Sequence, residues 1–139
     1  MRTDDAADEA VLRILVADGS AFQRRLTTDT LRAAGRVQID YAENVDQCLM
    51  ALAYCQPDVL VAEWDLERGG GLGLVRRIRA GEGGDAFRKL AVIMVATRNS
   101  ATDVERARSA GIDEFVLRPF STFTMMKRVA EVRARELLG

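Results

Sequence analysis

The stretch Pro57-Asp58-Val59-Leu60-Val61-Ala62-Glu63-Trp64-Asp65-Leu66 carries the pattern that decides the fold. Its apolar run ends in an acid, a second acid follows two positions later, and Gly69-Gly70-Gly71 comes soon after. A short, continuous apolar run between turn signals predicts a strand that is buried on both faces, as in a parallel sheet. Functional groups of open α/β sheets lie beyond the carboxyl ends of such strands, so Glu63 is a candidate functional carboxylate.

Outward from this strand, which is predicted over 58–63, four further strands are predicted. Apolar runs predict strands at 12–17 and 90–96, alternation predicts a strand at 37–42, and a fifth strand is predicted at 112–117. The segments between and after them have capping residues at their starts or Gly and Pro at their ends, which predicts helices. The residues expected to face inward are Phe22, Leu26 and Leu31 in the first helix, Val45, Cys48, Leu49, Leu52 and Cys55 in the second, and Met125, Met126, Val129, Val132 and Leu137 in the last.

Five strands that alternate with five helices predict a doubly wound parallel α/β fold. With 139 residues, 48% of them hydrophobic, the chain suits one compact domain, expected over residues 12–139. Residues 1–11 are expected to form a disordered acidic leader. The net charge of −1 favours neither nucleic acid nor a membrane surface. No apolar run could span a bilayer or serve as a secretion signal, so we expect a cytoplasmic domain.

Composition also restricts the chemistry. The chain has no histidine, which excludes histidine-based acid–base catalysis and histidine metal sites. Its two cysteines, Cys48 and Cys55, are interpreted as buried thiols, and a disulfide or metal pair is the alternative. No nucleophile–base pair is visible, so an enzymatic activity is not expected.

Polar residues follow four of the predicted strands. They are Asp18-Gly19, Glu63 with Asp65, Ala96-Thr97, and Arg118-Pro119-Phe120. Because the carboxyl ends of parallel strands meet at one edge of a sheet, these four groups are expected to converge on a single crevice.

These residues resemble the receiver domains of two-component response regulators, including the single-domain chemotaxis type. The resemblance covers roughly residues 12–138, and its motifs are 14–25, 57–64 and Arg118-Pro119-Phe120, with 45 positions from Asp18 to Glu63 and 55 from Glu63 to Arg118. It implies the flavodoxin-like strand order 2-1-3-4-5. It also implies a domain that normally accepts a phosphoryl group from a kinase histidine onto an aspartate, with magnesium held by an acidic pair.

The chain departs from this family at the positions that carry the chemistry. Gly19 stands in the acidic pair, Glu63 at the phosphoacceptor, Ala96 at the hydroxyl position with Thr97 beside it, and Arg118 at the lysine. Magnesium binding is therefore not expected, and Asp18 and Asp65 are only weak candidate ligands.

The altered residues suggest what replaces phosphotransfer. The extra methylene of Glu63 moves its carboxylate by roughly 1.5 Å toward the phosphoryl position, so it can mimic the modified state. Arg118 is expected to bind this carboxylate as a bidentate pair. Ala96 leaves space in which Phe115, the switch aromatic of the family, can sit inward without a signal.

We therefore interpret the chain as a phosphorylation-independent pseudo-receiver that binds a protein partner in a bacterial signalling pathway. The resemblance implies a partner face on the fourth helix, fifth strand and fifth helix, with Val104, Arg108, Val116, Phe123 and Lys127. The same face is a candidate homodimer interface. Core packing is the alternative for Phe123 and Val116.

Two other functions stay open. One is a residual magnesium-dependent phosphoacceptor. The other is a cyclic-dinucleotide effector, whose arginines would be Arg98, Arg106 and Arg108 or Arg76, Arg77 and Arg79.

Overall fold

The computed structural model describes residues 11–97 and 100–138, in which strands and helices alternate. The strands are β1 (Leu12–Ala17), β2 (Val37–Ala42), β3 (Val59–Glu63), β4 (Ala91–Ala96) and β5 (Glu114–Leu117). The helices are α1 (Ala21–Ala33), α2 (Val45–Cys55), α3 (Gly70–Arg79), α4 (Ala101–Ser109) and α5 (Thr122–Leu138), and a 3-10 turn (Asp85–Phe87) precedes β4. All strand pairs are parallel, in the order β2-β1-β3-β4-β5. The predicted fold class is thus confirmed.

The expected leader falls mostly on residues 1–10, which lie outside the described residues, as does Arg98 of the candidate nucleotide site. None of the described helices is both long and apolar enough to cross a bilayer.

The central strand β3 is buried on both faces, as its continuous apolar run predicts. Leu60 and Ala62 belong to a core cluster shared with α2 and α3. Val59 and Val61 face the opposite way, into a cluster shared with α1 and α5. Alternate residues of one strand therefore anchor two helical layers, which fixes the position of Glu63 at the carboxyl edge.

The cysteines lie within the first of these clusters. Both are free and buried, as predicted, and burial raises the pKa of the Cys48 thiol to about 12. A protonated, inaccessible thiol is unreactive, so these residues serve packing rather than chemistry.

The predicted inward face of α1 is wrong in part. Leu31 is fully buried together with Thr27 and Thr28, whereas Phe22 and Leu26 are exposed. Positions 27, 28 and 31 form one stripe at helical spacing, and residues 22 and 26 lie on a different side of the helix. Met126 of α5 is exposed for the same reason, since Met125, Val129 and Val132 form the buried stripe of that helix.

Helix α3 begins two residues earlier than predicted, because the glycines of this segment provide its start. Gly69 and Gly70 have φ angles of 130° and 80°, which favour glycine. Gly71 is buried and packs directly against the end of β3, where its amide donates to the carbonyl oxygen of Trp64 at 2.9 Å. The glycine run thus brings α3 close to the strand that carries Glu63.

The close approach at Gly71 gives a prediction about stability. A methyl group at this position would overlap the carbonyl oxygen of Glu63 and lie 2.7 Å from the sulfur of Met94. Gly71→Ala is expected to lower the free energy of unfolding by about 1–3 kcal/mol in urea denaturation. Gly73→Ala is the matched control, because nothing lies within 4 Å of its added methyl group. It is expected to raise stability by about 0.5–1 kcal/mol, and equal effects of the two substitutions would contradict the packing.

Candidate functional site: a carboxylate–arginine cluster at the carboxyl edge

The four strand ends meet at one edge of the sheet. Asp18 directly follows β1, Glu63 is the last residue of β3, Ala96 is the last residue of β4, and Arg118 directly follows β5. Because β1, β3, β4 and β5 are consecutive neighbours in the sheet, these residues lie along the same carboxyl edge, at the position of the predicted crevice. The topology therefore brings together the groups that the spacing of the sequence singled out.

Arg118 lies between two carboxylates and bridges them. One terminal nitrogen, Nη2, donates to Asp18 Oδ2 at 2.8 Å, and the other, Nη1, donates to Glu63 Oε1. The side chains of Arg118, Asp18 and Glu63 are 13%, 7% and 12% exposed. The predicted bidentate pair with Glu63 alone is wrong, because Asp18 on the neighbouring strand is equally within reach. Each end of the guanidinium fork takes a different carboxylate.

The remaining carboxylate oxygens are bound by backbone amides. The backbone amide of Ser20 donates to Asp18 Oδ1 at 2.9 Å. The side chain of the same residue caps α1. The amide of Asp65 donates to Glu63 Oε2 at 3.0 Å, while the Asp65 side chain itself is exposed. Every oxygen of the two buried carboxylates therefore has a hydrogen-bond donor.

Burial has the largest effect on the pKa of the Asp18 carboxyl. Desolvation raises the pKa of this carboxyl above its ordinary value of 3.8, although the Ser20 amide and the Arg118 guanidinium both act to lower it. The nearby Glu63 carboxylate adds to the upward shift. The Ser20 amide and the Arg118 guanidinium thus favour the carboxylate form of Asp18 against the opposing effect of burial.

This donor set does not fit the magnesium ion of a receiver domain. The guanidinium of Arg118 lies between the two carboxylates, and their four oxygens are engaged. Gly19 contributes no side-chain ligand, and an ion would add to the positive charge already present. Among the described residues, no three Asp, Glu, His or Cys side chains are arranged to hold a metal.

The residues at the family's hydroxyl position and switch-aromatic position differ in how deeply they are buried. Ala96 is 1% exposed, and Thr97 beside it is exposed and lines an apolar groove with Pro119 and Phe120. Phe115 is half-buried against the core, and its ring centroid lies 5.8 Å from that of Trp64, with the rings tilted by 59°. Phe115 is therefore packed inward beside the strand that carries Glu63.

The candidate partner face is partly apolar and partly basic. Phe123 is 75% exposed, Arg108 and Lys127 are exposed, and Val104 is half-buried. Val116 is only 2% exposed and does not belong to this surface. Its side chain faces the core cluster beneath α5, because residues alternate between the two faces of a strand.

The next residue of β5 replaces Val116 on the surface. Leu117 is 42% exposed and Met126 of α5 is 39% exposed. Alternation along the strand was the signal that would have identified Leu117 from the sequence.

The arginines considered for a cyclic dinucleotide are mostly engaged within the chain. Arg79 donates to the carbonyl oxygens of Arg88, Leu90 and Gly111. The other pairs are Arg77 with Glu82 and Asp46, Arg106 with Asp103, and Arg108 with Glu105. The structure therefore gives no support to this alternative.

One contact of the cluster had no signal in the sequence. Arg24 of α1 donates from Nη1 to the backbone oxygen of Asp18 at 2.7 Å and lies 3.9 Å from Glu43. It fixes the loop that carries Asp18, and a spacing of six residues along the chain would not have suggested it.

The parallel fold and the polar cluster at its carboxyl edge define a receiver-type domain. The family profile of the response regulator receiver domain matches residues 14–130, so the chain belongs to this family of signal-transduction domains. Chemotaxis protein CheY1 of Helicobacter pylori strain J99 is 27% identical over 122 residues, which cover 87% of this chain and 96% of the relative. Chemotaxis protein CheY of Pseudomonas aeruginosa is 26% identical over 124 residues, or 89% and 98% of the two chains.

Solved structures agree with this fold. Chemotaxis protein CheY4 of Vibrio cholerae has a TM-score of 0.78 at 20% identity, with 88% of this chain and 99% of that chain covered. A putative response regulator from Chloroflexus aurantiacus has a TM-score of 0.80 at 20% identity, with 88% and 98% covered. At this identity, the likeness concerns the fold alone.

Proposed function

We propose that this receiver domain acts without phosphorylation, as a signalling module that binds a protein partner and catalyses no reaction of its own. The observation that carries the proposal is the position of Arg118 between Asp18 and Glu63. In a working receiver, this space holds a magnesium ion and the incoming phosphoryl group. Here a cation of the chain itself lies between the two carboxylates and offsets part of their charge.

Glu63 is proposed to replace the phosphorylated aspartate in this arrangement. Its carboxylate already receives the contact from Arg118 that a phosphoryl oxygen would receive from the family's lysine. Because both partners are largely buried, separating them would leave uncompensated charges and is strongly unfavourable. The contact is therefore permanent instead of conditional.

Phe115, at the position of the family's switch aromatic, is likewise proposed to stay in one position without phosphorylation. With alanine at position 96, no hydroxyl must move before an aromatic side chain can pack inward. Phe115 already packs against Trp64 and the core. These contacts support a domain held in one conformation, whose output surface is constantly available.

The proposed output surface lies on α4, β5 and α5. Its apolar residues are Leu117, Phe123 and Met126, and Arg108 and Lys127 supply positive charge beside them. Exposed aromatic and aliphatic side chains next to basic groups suit a protein partner that offers an apolar segment with acidic neighbours.

Incubation with acetyl phosphate and magnesium tests the proposal. The protein is expected to gain no phosphoryl group in its intact mass, because the metal site is lacking and the carboxylate is misplaced and already bound to Arg118. A phosphorylation-competent chemotaxis receiver in the same buffer serves as the positive control. Stoichiometric phosphorylation of Glu63 or Asp65, located by peptide mapping, would overturn the proposal.

A further inference from the structure

A further cavity of the domain lies outside the crevice described above, in a groove between α1 and β2. Its volume is about 590 Å³, within the range of small-molecule sites, and its charged and aromatic lining consists of Arg24, Arg25, Asp29, Arg32, Tyr41 and Glu43. Because β2 is an edge strand, no further strand of the described residues covers this side of the sheet. The candidate partner face on α4, β5 and α5 does not include these residues.

Two arginines of the groove form no ion pair with any residue that the structure describes. Arg25 and Arg32 are exposed, and neither forms an ion pair within residues 11–97 and 100–138. Exposed arginines that line a concave surface can offer their planar forks to a phosphate. The groove also contains Asp29 and Glu43, so its formal charge is only one unit positive. This balance suits a ligand with a single phosphate better than a triphosphate.

An aromatic platform lies beside these cations. Tyr41 is 49% exposed, its hydroxyl lies 3.2 Å from that of Thr28, and the Arg24 guanidinium carbon lies 5.9 Å from the ring centre. The two contacts fix the ring, and an aromatic side chain next to a guanidinium offers stacking surface to a planar base. Asp29, which makes no ion pair among the described residues, can accept hydrogen bonds from ribose hydroxyls.

We infer that the groove between α1 and β2 is a binding site for a nucleoside monophosphate. Arg25 and Arg32 bind the phosphate, and Tyr41 with Arg24 stacks against the base. Arg24 also connects the groove to the receiver crevice, because it donates to the backbone oxygen of Asp18. A ligand in the groove therefore contacts the residue that positions the Asp18–Arg118 ion pair.

Amide NMR and calorimetric titrations of the full chain with AMP and with GMP test the inference. Saturable shifts are expected at Arg25, Tyr41 and Gly19. The double variant Arg25→Ala/Arg32→Ala is expected to weaken binding at least about tenfold. Tyr41→Leu is expected to weaken nucleotide binding at least about fivefold and to leave the affinity for inorganic phosphate unchanged. Arg76→Ala, an exposed arginine of α3 away from the groove, is the matched control and should bind like the unmodified protein.

Inorganic phosphate and adenosine test phosphate binding and base stacking separately. Inorganic phosphate and adenosine are each expected to bind more weakly than AMP, because each makes half of the contacts. Equal affinities for phosphate and AMP would overturn the stacking role of Tyr41. No saturable shift at millimolar nucleotide, or binding that the arginine variant does not weaken, would overturn the site itself. Amide spectra of each variant verify that it is folded, and Arg25→Lys/Arg32→Lys, which keeps the charge, should retain part of the affinity.

Discussion

Replacing Arg118 with methionine is expected to lower the free energy of unfolding by about 3–5 kcal/mol at neutral pH. The substitution keeps most of the volume of the side chain but removes the cation between Asp18 and Glu63. These carboxylates are 7% and 12% exposed, so water cannot replace the lost charge. Urea denaturation measures the loss, and the melting temperature should fall by about 10 °C or more.

The loss should depend on pH in a defined direction. Burial already raises the pKa of Asp18 in the unmodified protein, and removal of Arg118 withdraws an interaction that lowers it. The folded variant then binds protons at pH values where the unfolded chain has released them. Its stability should therefore fall as the pH rises above the ordinary carboxyl range and recover on acidification.

Two controls separate charge from packing. Arg118→Lys retains the cation but loses the fork, so it should cost less than Arg118→Met. The triple variant Asp18→Asn/Glu63→Gln/Arg118→Met removes all three charges and should recover a large part of the lost stability. If Arg118→Met unfolds at the same urea concentration as the unmodified protein, the buried ion cluster does not stabilise the fold as described.

The second large effect expected is a gain of phosphorylation in a restored variant. Gly19→Asp/Glu63→Asp/Ala96→Thr/Arg118→Lys returns the residue types that receiver chemistry requires. The shorter side chain at position 63 moves the carboxylate back by roughly 1.5 Å, and misplacement on that scale can cost about 100-fold. With magnesium and acetyl phosphate, the variant is expected to be phosphorylated at least about 100 times faster than the unmodified protein, as followed by intact mass.

The structure indicates that this variant can fold. A Cβ atom at position 19 would lie 3.2 Å from the backbone oxygen of Glu43, so the backbone there must shift by a few tenths of an ångström. Threonine at position 96 is costlier, because Ala96 is 1% exposed, and about 1–3 kcal/mol of stability is the expected loss.

Glu63→Asp alone is the matched control for the restored variant. It corrects the reach of the acceptor but still lacks an aspartate at position 19, and Arg118 still lies between the carboxylates. It should therefore be phosphorylated little faster than the unmodified protein. Full phosphorylation of this single variant would show that Arg118 and Gly19 do not block the chemistry.

The fold could be predicted from the sequence because the inner strands β3 and β4 are almost entirely continuous apolar runs, while the edge strand β2 alternates. Each run lies between turn signals, and two-sided burial leaves little choice other than a parallel sheet. The inward face of α1 could not be predicted as securely. Phe22 and Leu26 suggested the buried side by hydrophobicity, but Thr27 and Thr28 are buried instead, since they share the stripe of Leu31. A short helix with few apolar residues gives a weak periodic signal.

The sequence predicted which residues form the candidate site, but not the contacts that they make with one another. Spacing placed Asp18, Glu63 and Arg118 at the carboxyl ends of three strands, β1, β3 and β5, and all three lie in one cluster. That Arg118 divides its fork between two carboxylates depends on the distance between β1 and β3 and on the path of the β5–α5 loop. Neither quantity is encoded in residue types, so the bidentate pair with Glu63 was the simpler expectation.

The most direct test of phosphorylation independence is an amide NMR titration of the unmodified protein with magnesium and beryllofluoride, a mimic of the phosphoryl group. The restored variant is the positive control. If the guanidinium of Arg118 fills the crevice, the amide shifts of Glu63, Ala96 and Phe115 will not change when the mimic is added. Saturable, magnesium-dependent shifts at these residues would show that the crevice still accepts a phosphoryl group and would contradict the proposed function.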